Sequence, residues 1–163
     1  MSGTGKLAPF PDAGPRAPVR DGRAPSIRNR KPAMIDHLDH LVITTTNEAA
    51  CIRFYVEVLG MRHERYDRGR QAFLFGNQKI NVHLWGHEFE PKAHTPVPGG
   101  LDLCFIASTP LAQVIERLNQ YGVAIIVGPV LRDGAVSRIR SVYVRDPDLN
   151  LIEIAEPVAR DAT

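Results

Sequence analysis

Residues 145–157 read "RDPDLNLIEIAEP", and one carboxylate, Glu153, stands in the middle of a run of apolar residues. The apolar residues on both sides of Glu153 are typical of a buried strand. An ionised carboxylate that is buried alone is very costly, so proteins neutralise it, pair it with a cation or use it to bind a metal. The sequence therefore predicts that Glu153 has a partner elsewhere in the fold.

From Met34 onward, the chain contains one pattern of secondary structure twice. The first copy begins with a strand-like segment at 38–45. It continues with "TNEAACIRFYVEVLG", a helical segment in which Asn47 is the predicted N-cap and Gly60 the C-terminal stop. Three short strand candidates follow, "MRHERY", "QAFLFG" and "KINVHLW". The first half is therefore predicted to be a strand, a helix and three strands.

The second copy begins with "LDLCFIAS" at 101–108 and continues with the helical segment "TPLAQVIERLNQYG". There Thr109 is the predicted cap, Pro110 lies in the first turn and Gly122 ends the helix. The strand candidates after this helix are "VAIIVGPV", "SRIRSVYV" and "LNLIEIAE". Because the order of elements repeats, we predict an α+β fold of two tandem βαβββ modules.

These two modules are predicted to form one domain at 34–163. Module one occupies 36–90, a linker rich in Pro and Gly occupies 91–100, and module two occupies 101–157. In each module the helix covers only one face of a curved mixed sheet. The concave face must therefore be buried by a second module or enclose a ligand.

Residues 1–33 differ from the remainder in composition and charge. They hold six Pro and four Gly without periodicity, and seven Lys/Arg against two Asp give them a charge of +5. Such a segment buries too little surface to offset the entropy of ordering, so we predict a disordered basic extension. Because the whole chain carries +2, the rest carries −3 by subtraction, and we expect no nucleic-acid partner.

The composition is that of an ordinary globular protein, with 44% hydrophobic and 23% charged residues. The two cysteines, Cys51 and Cys104, both lie in apolar patterns, which makes a disulfide framework implausible and fits a reducing, cytoplasmic compartment. No apolar run approaches the length of a membrane-spanning helix, so we expect no membrane partner.

Alternation along the strands groups polar side chains, since residues two apart share a face. Trp85 shares a face with His83, and Tyr143 with Ser141. A single polar residue of this kind is more often a structural one. Four such residues at parallel positions of a repeat make a shared metal site as good an interpretation as four separate structural roles. The metal-competent side chains in mid-strand are His40, His83, Asp102 and Glu153.

Residues 36–157 resemble the vicinal oxygen chelate superfamily. The resemblance rests on "LDHLVITT", on "FYVEVLGM" at the end of the first helix and on "RDPDLNLIEI", which is similar to the family's DPDG-x-x-x-E ending. The stretches at 75–106 and at 128–135 ("GPV-x-R-x-GA") more closely resemble glyoxalase domain-containing protein 5 and the virulence-associated glyoxalase-like proteins.

The resemblance implies a cleft that holds one divalent metal. His40, His83 and Glu153 match the family's ligand positions, and Glu153 follows Asp146 by the seven residues that the family pattern requires. Asp102 stands where many relatives have a fourth ligand, His. If Asp102 points outward, two imidazoles and one carboxylate remain. Ligands of these types suit Zn, Ni, Mn, Co or Fe, and the sequence does not choose among them.

The resemblance also implies a set of substrate-binding residues. Tyr143 precedes Asp146 by three residues, where fosfomycin-resistance relatives have a Tyr that touches the substrate. Two departures concern glutathione: Thr44 and His87 stand where bacterial glyoxalase I has Arg and Asn. The residues assigned to substrate binding are Tyr143, Ser141, Arg140 and Trp85.

The function implied is that of a metal-dependent enzyme similar to lactoylglutathione lyase, a lyase or isomerase. Its substrate is a small molecule with vicinal oxygens, such as the adduct of a 2-oxoaldehyde and a thiol cosubstrate. Glu153 is the expected catalytic residue that moves a proton between adjacent carbons. We expect a homodimer, with the cleft formed within one chain or across two.

Two other functions stay open. One is different metal chemistry in the same cleft, either thiol transfer to an epoxide or ring-cleaving dioxygenation. The other is metal-free sequestration of a ligand, as in bleomycin-resistance proteins. Retention of His40, His83 and Glu153 argues against sequestration, because a binding protein needs none of the three.

Overall fold

The structure is a computed structural model that describes residues 34–158. The predicted extension at 1–33 lies outside the described residues. From His37 onward, the described residues belong to one compact unit. None of the helices in 34–158 is long and apolar enough to span a membrane.

The first four strands form one mixed sheet in the order β1-β4-β3-β2. β1 pairs with β4 in parallel, and the other neighbours pair antiparallel. The first helix, α1, continues directly into a π-helix, and a short 3₁₀ turn at Asp67–Gly69 precedes β3. The elements of this half are β1 (His40–Thr45), α1 (Glu48–Ile52), the π-helix (Arg53–Val58), β2 (Arg62–Tyr66), β3 (Arg70–Phe75) and β4 (Gln78–Leu84).

The second half repeats this topology, with a sheet in the order β5-β8-β7-β6. β5 pairs with β8 in parallel, as β1 does with β4. The predicted fold class is confirmed, as two four-stranded mixed sheets, one from each module. The elements are β5 (Asp102–Ile106), α2 (Leu111–Gln120), β6 (Val127–Asp133), β7 (Arg138–Arg145) and β8 (Leu151–Pro157).

The boundaries of the first helix follow from local chemistry. The Asn47 side chain accepts a hydrogen bond from the Ala50 N–H at 3.1 Å, as predicted for an N-cap. Gly60, at φ +78°, has the left-handed conformation expected just after a helix. The π-helical turn between them was not predicted, because the apolar spacing of 51, 54, 55 and 58 is also that of an α-helix.

The cap of α2 differs from the prediction. Thr109 is not the cap; Pro110 occupies that position and has no side-chain donor or acceptor. The Leu111 N–H instead donates to Glu156 Oε2 on β8 at 2.6 Å. The carboxylate of Glu156, 45 residues away in sequence, therefore caps the helix in place of Thr109.

The strand predicted at 123–130 is also displaced. Val123 closes the end of α2 through its N–H to the Leu118 carbonyl, and β6 begins only at Val127. The register of β6 against β7 then shifts between Val127 and Val130. The apolar run "VAII" predicted a strand, but the Val123 N–H bonds the helix end, and pairing with β7 begins with the Ile126 N–H, which donates to the Tyr143 carbonyl.

The core lies where the helices pack on the sheets. Tyr55 of the π-helix stacks on Phe73 of β3 at 5.0 Å between ring centroids. Phe75 and Phe105 make an edge-to-face contact that joins the two modules. Burial of each such side chain contributes roughly 1.5–3 kcal/mol.

The modules meet through their helices and the turn before β8. The Tyr55 hydroxyl donates to Asp146 Oδ2 at 2.9 Å, and Arg117 of α2 donates to the Val58 carbonyl at 2.6 Å. Thr46 Oγ1 donates to Asp148 Oδ1 at 2.7 Å. These contacts lie on the helix side, and within residues 34–158 the opposite face of each sheet is free of helices.

Candidate functional site

The open face of the first sheet carries the two predicted histidine ligands. In the parallel pair β1–β4, Val42 is opposite Asn81 and Thr44 is opposite His83. Residues paired in this way share a face, so His40, two residues before Val42, lies on the same face. We call this surface the module-one face. His40 and His83 line one cavity there, of about 220 Å³.

His40 is held by its neighbour in sequence. Its Nδ1 lies 2.7 Å from Asp39 Oδ1, and this hydrogen bond lowers the pKa of the Asp39 carboxyl. With Nδ1 engaged by a carboxylate, Nε2 is the ring nitrogen available to a metal. A carboxylate on the second nitrogen is the usual support for a metal-binding imidazole.

His83 is half-buried beside the ring of Phe89, at 5.7 Å between centroids. Burial lowers the pKa of its imidazole, which favours the neutral form that binds metals. Its Nδ1 is buried and has no hydrogen-bond partner among the described residues. The lowered pKa therefore favours a neutral His83, and its Nδ1 has no hydrogen-bond partner in residues 34–158.

The open face of the second sheet carries the predicted carboxylates. Cys104 and Tyr143 are the register partners of Glu153 on its two sides, and Asp102 lies two residues before Cys104. We call this surface the module-two face. Glu153 Oε1 is buried without a hydrogen-bond partner in residues 34–158. Burial, and then the Glu153 carboxylate, raises the pKa of the exposed Cys104 thiol to about 11, so Cys104 stays protonated.

Tyr143 connects Glu153 to a cation. Arg132 Nε donates to the Tyr143 hydroxyl oxygen at 3.1 Å, and the guanidinium lies 5.6 Å from the Tyr143 ring centroid. Burial raises the pKa of Tyr143, so its hydroxyl stays protonated and able to donate. Ser141, fully buried, shares this face, and its Oγ has no partner in the described chain.

Two of the predicted substrate-binding residues lie elsewhere. Arg140 is on the opposite face of β7 from Ser141, and its Nε donates to Glu156 Oε1 at 3.0 Å. Trp85 follows the last residue of β4 and is 59% exposed, and it lines neither of the cavities described here. The structure thus groups Tyr143 and Ser141 with Glu153, but not Arg140 or Trp85.

The four predicted ligands form two separate groups. His40 and His83 lie on the module-one face, and Asp102 and Glu153 lie on the module-two face. Within residues 34–158, no three His, Cys, Asp or Glu side chains lie together as a metal site. One copy of the chain therefore carries the four predicted ligands as two pairs on different surfaces.

Two arginines on these faces were not predicted as site residues. Arg70 borders the cavity with the two histidines, and Arg132 contacts Tyr143. Arg132 occupies the Arg position of the "GPV-x-R-x-GA" stretch, so a sequence signal existed. For Arg70 only the alternation of β3 pointed to this face, and that signal is weak at the end of a strand.

A second cavity, of about 430 Å³, adjoins the first along the predicted linker. It shares His83, Val42 and Pro91 with the first cavity and includes Thr44 and Val97. Thr44 is buried, and as a neutral hydroxyl it supplies no charge to an anionic substrate.

The comparison with protein families matches residues 37–154 to the Glyoxalase/Bleomycin resistance protein/Dioxygenase superfamily. The match spans both sheets, from before β1 to the middle of β8.

Individual relatives agree with this match. Virulence protein STM3117 of Salmonella typhimurium is 51% identical over 77% of this chain and 87% of its own. Its crystal structure superposes with a TM-score of 0.75, covering 77% of this chain and 100% of that chain. Glyoxalase domain-containing protein RDO1 of Mycosarcoma maydis is 47% identical over 78% of this chain and 72% of its own.

Proposed function

The chain belongs to the Glyoxalase/Bleomycin resistance protein/Dioxygenase superfamily, and we propose that it is a metal-dependent glyoxalase-like enzyme acting on a small substrate with vicinal oxygens. One observation carries the proposal: His83 Nδ1 and Glu153 Oε1 are buried polar atoms without partners in residues 34–158. Buried polar atoms are nearly always paired. A divalent cation is a partner that suits both an imidazole nitrogen and a carboxylate oxygen.

We propose that the complete site forms between two copies of the chain, in a homodimer. The module-one face of one copy, with His40 and His83, would lie against the module-two face of its partner, with Glu153 and Asp102. The open faces carry exposed apolar side chains, Val42 at 41% and Ile106 at 57%, which a second copy would cover. A two-fold axis would create two such sites.

A divalent cation bound there would polarise the vicinal oxygens of a chelated substrate. Glu153 would take a proton from one carbon and return it to its neighbour, so the isomerisation needs no external oxidant or reductant. The Tyr143 hydroxyl, which accepts a hydrogen bond from Arg132 Nε, would donate one to a substrate oxygen. Asp39 would keep the His40 ring in the orientation that binds the metal.

The proposal includes a thiol cosubstrate but does not include a dedicated binding site for glutathione. Thr44 offers no positive charge to the carboxylates of glutathione, and His87 lines neither cavity. We therefore propose a small 2-oxoaldehyde–thiol adduct as the substrate class. The cytoplasmic location stays a prediction from the sequence.

Elemental analysis of the purified protein tests the metal site. We expect about one divalent ion per chain in the wild type. His83→Ala and Glu153→Gln should each lower the affinity for the metal at least about ten-fold and so lose most of the bound ion. His63→Ala is the matched control, because His63 pairs with Phe73 on the helix-covered face of the sheet and should keep its metal. Full metal content in both site variants would contradict the proposal.

Ligand sequestration without a metal is the second candidate, because one copy of the chain brings no three ligand-type side chains together within 34–158. Turnover of methylglyoxal with a thiol, in the presence of Mn, Ni, Co or Zn, distinguishes the two. Metal-dependent turnover that Glu153→Gln abolishes supports the enzyme. Tight metal-independent binding of an aromatic ligand, without turnover, supports sequestration.

A further inference from the structure

Within residues 34–158, Arg70 is a cation without an ion-pair partner. It begins β3 and is half-buried, with its guanidinium carbon 5.0 Å from the centroid of the Phe89 ring. Its Nε is buried and has no hydrogen-bond acceptor among the described residues. No ion pair within 34–158 includes Arg70.

The other arginines of the same sheet are paired. Arg62 pairs with Glu64, and Arg65 pairs with Glu48 at 2.8 Å. The sheet therefore has carboxylates, but none reaches Arg70. A partly buried charge without a partner costs free energy that surrounding contacts do not return. Such a group is commonly matched by a ligand.

The surroundings of Arg70 indicate what that ligand is. Arg70 borders the same cavity of about 220 Å³ as His40 and His83. Tyr66 donates its hydroxyl to Asn81 Oδ1 at 3.0 Å, and both side chains border this cavity. The carboxylate that borders the cavity, Glu90, is 74% exposed and lies 3.6 Å from Lys92 Nζ, which is also 3.1 Å from Glu88 Oε2. Apart from this exposed carboxylate, the cavity offers neutral hydrogen-bonding side chains and the positive charge of Arg70.

We propose that Arg70 binds an oxyanion of the substrate, a carboxylate or a phosphate, next to the histidine pair. The substrate class narrows to small anionic compounds that carry a charged group beside their vicinal oxygens. Phe89 lies over the guanidinium, whose nitrogens would make the charge-assisted contacts that arginine makes with such anions. The role of Arg70 in the reaction rests on the proposed function, whereas the binding of an anion by Arg70 does not depend on it.

Anion binding is measured on the full chain after removal of metal with a chelator. The Nε–H resonance of Arg70, assigned in a ¹H–¹⁵N spectrum by its loss in Arg70→Lys, is followed during titration with succinate, with inorganic phosphate and with uncharged succinamide. We expect saturable shifts with one or both anions and none with succinamide. Whichever anion binds more tightly identifies the class of oxyanion.

Two variants separate this role from general charge effects. Arg70→Gln should weaken anion binding about 10- to 100-fold, the range expected for loss of a charge-assisted contact. Arg62→Gln is the matched control, since it removes a paired arginine from the same sheet and should leave anion binding unchanged. Equal weakening in both variants would overturn the proposal.

Turnover gives a second readout that separates the two proposals. Methylglyoxal is supplied with mercaptoacetate, which forms an anionic adduct, or with 2-mercaptoethanol, which forms a neutral adduct of similar size. Arg70→Gln should lower kcat/KM for the anionic adduct about ten-fold or more. It should change kcat/KM for the neutral adduct little. Equal loss for both adducts would overturn the anion role while the glyoxalase proposal stands.

Two further outcomes are decisive. Saturable anion shifts at Arg70 without turnover of any adduct would support the oxyanion site and contradict the glyoxalase reaction. If Arg70 instead pairs with a carboxylate of a second copy, Arg70→Gln will lower the dimer fraction in light scattering and no anion will shift the Arg70 signal. That result would overturn the inference.

Discussion

Tyr55 is the residue in which the two modules are most directly coupled. It is fully buried in the π-helix, stacks on Phe73, and donates its hydroxyl to Asp146 of module two. Asp146 also accepts the Asn150 N–H and the Asp148 N–H, at 2.8 and 3.0 Å. Burial, and then the charge of Asp146, raises the pKa of Tyr55, so this hydroxyl remains a donor.

Tyr55→Phe should lower the free energy of unfolding by about 1.5–3 kcal/mol, because it removes a buried hydrogen bond to a charged group. Urea unfolding followed by circular dichroism measures the change. Tyr121→Phe is the control, since Tyr121 is 37% exposed, and it should change stability by less than about 0.5 kcal/mol. Equal stability of Tyr55→Phe and the wild type would show that Asp146 is satisfied without Tyr55.

At the scale of elements, β6 depends on the absence of a side chain at Gly128. Gly128 has φ +116°, and a Cβ there would lie 2.5 Å from the Ser141 carbonyl oxygen and 2.9 Å from the Val142 Cα. Both neighbours are in β7. The close approach allows β6 to shift register against β7 between Val127 and Val130.

Gly128→Ala should destabilise the protein by about 3 kcal/mol or more, from a strained backbone and an overlap with β7. The midpoint and slope of urea unfolding measure this. Gly76→Ala is the matched control, because Gly76 also has positive φ but its Cβ would meet nothing within 4 Å. Its cost should be about 1 kcal/mol. Similar losses in the two variants would contradict the role of the close contact.

Glu156 makes the start of α2 sensitive to pH. The Leu111 N–H, and then Arg140, lowers the pKa of Glu156 below its usual value of 4.5. A carboxyl whose pKa is lowered by folding stabilises the protein above its unfolded pKa, and this contribution is lost as pH falls through the folded value. Glu156→Gln should therefore flatten the loss of stability between about pH 5 and 3.

Thermal unfolding over this pH range tests the role of Glu156. Thr109→Ala is the control at the position where the sequence predicted the cap, and it should leave the pH profile unchanged. A loss of stability in Thr109→Ala that is equal at every pH, with an unchanged profile in Glu156→Gln, would return the capping role to Thr109.

At the scale of the whole molecule, a site shared between two copies of the chain predicts how a mixture of two variants binds metal. His83→Ala alters only the module-one face, and Glu153→Gln alters only the module-two face. In a mixed dimer both substitutions fall in one site and leave the other site intact. After exchange of subunits, an equal mixture should regain about one quarter of the wild-type metal content, because half of the dimers are mixed.

Elemental analysis of the mixture, against each variant alone, measures this recovery. The double variant His83→Ala/Glu153→Gln, mixed with wild type, is the control for subunit exchange. No recovery in the mixture, despite exchange, would show that each site forms within one chain.

The sequence by itself determined what depends on near neighbours. The repeat of strand, helix and three strands, the cap at Asn47 and the stop at Gly60 follow from periodicity and backbone chemistry within a few residues. Alternation also placed His40 and His83 on one face of one sheet, as the register of β1 and β4 shows. The same rule applied to β7 would have separated Arg140 from Ser141 and Tyr143, since Arg140 lies one residue out of phase.

Only the tertiary structure decided contacts between distant parts of the chain. Glu156 replaces Thr109 at the start of α2, and Arg70 borders the cavity of the two histidines without an ion-pair partner in residues 34–158, because such contacts depend on how separate elements pack. The two groups of predicted ligands lie on different faces for the same reason. The helices join the modules on one side, so within residues 34–158 each open sheet face has no helix packed on it.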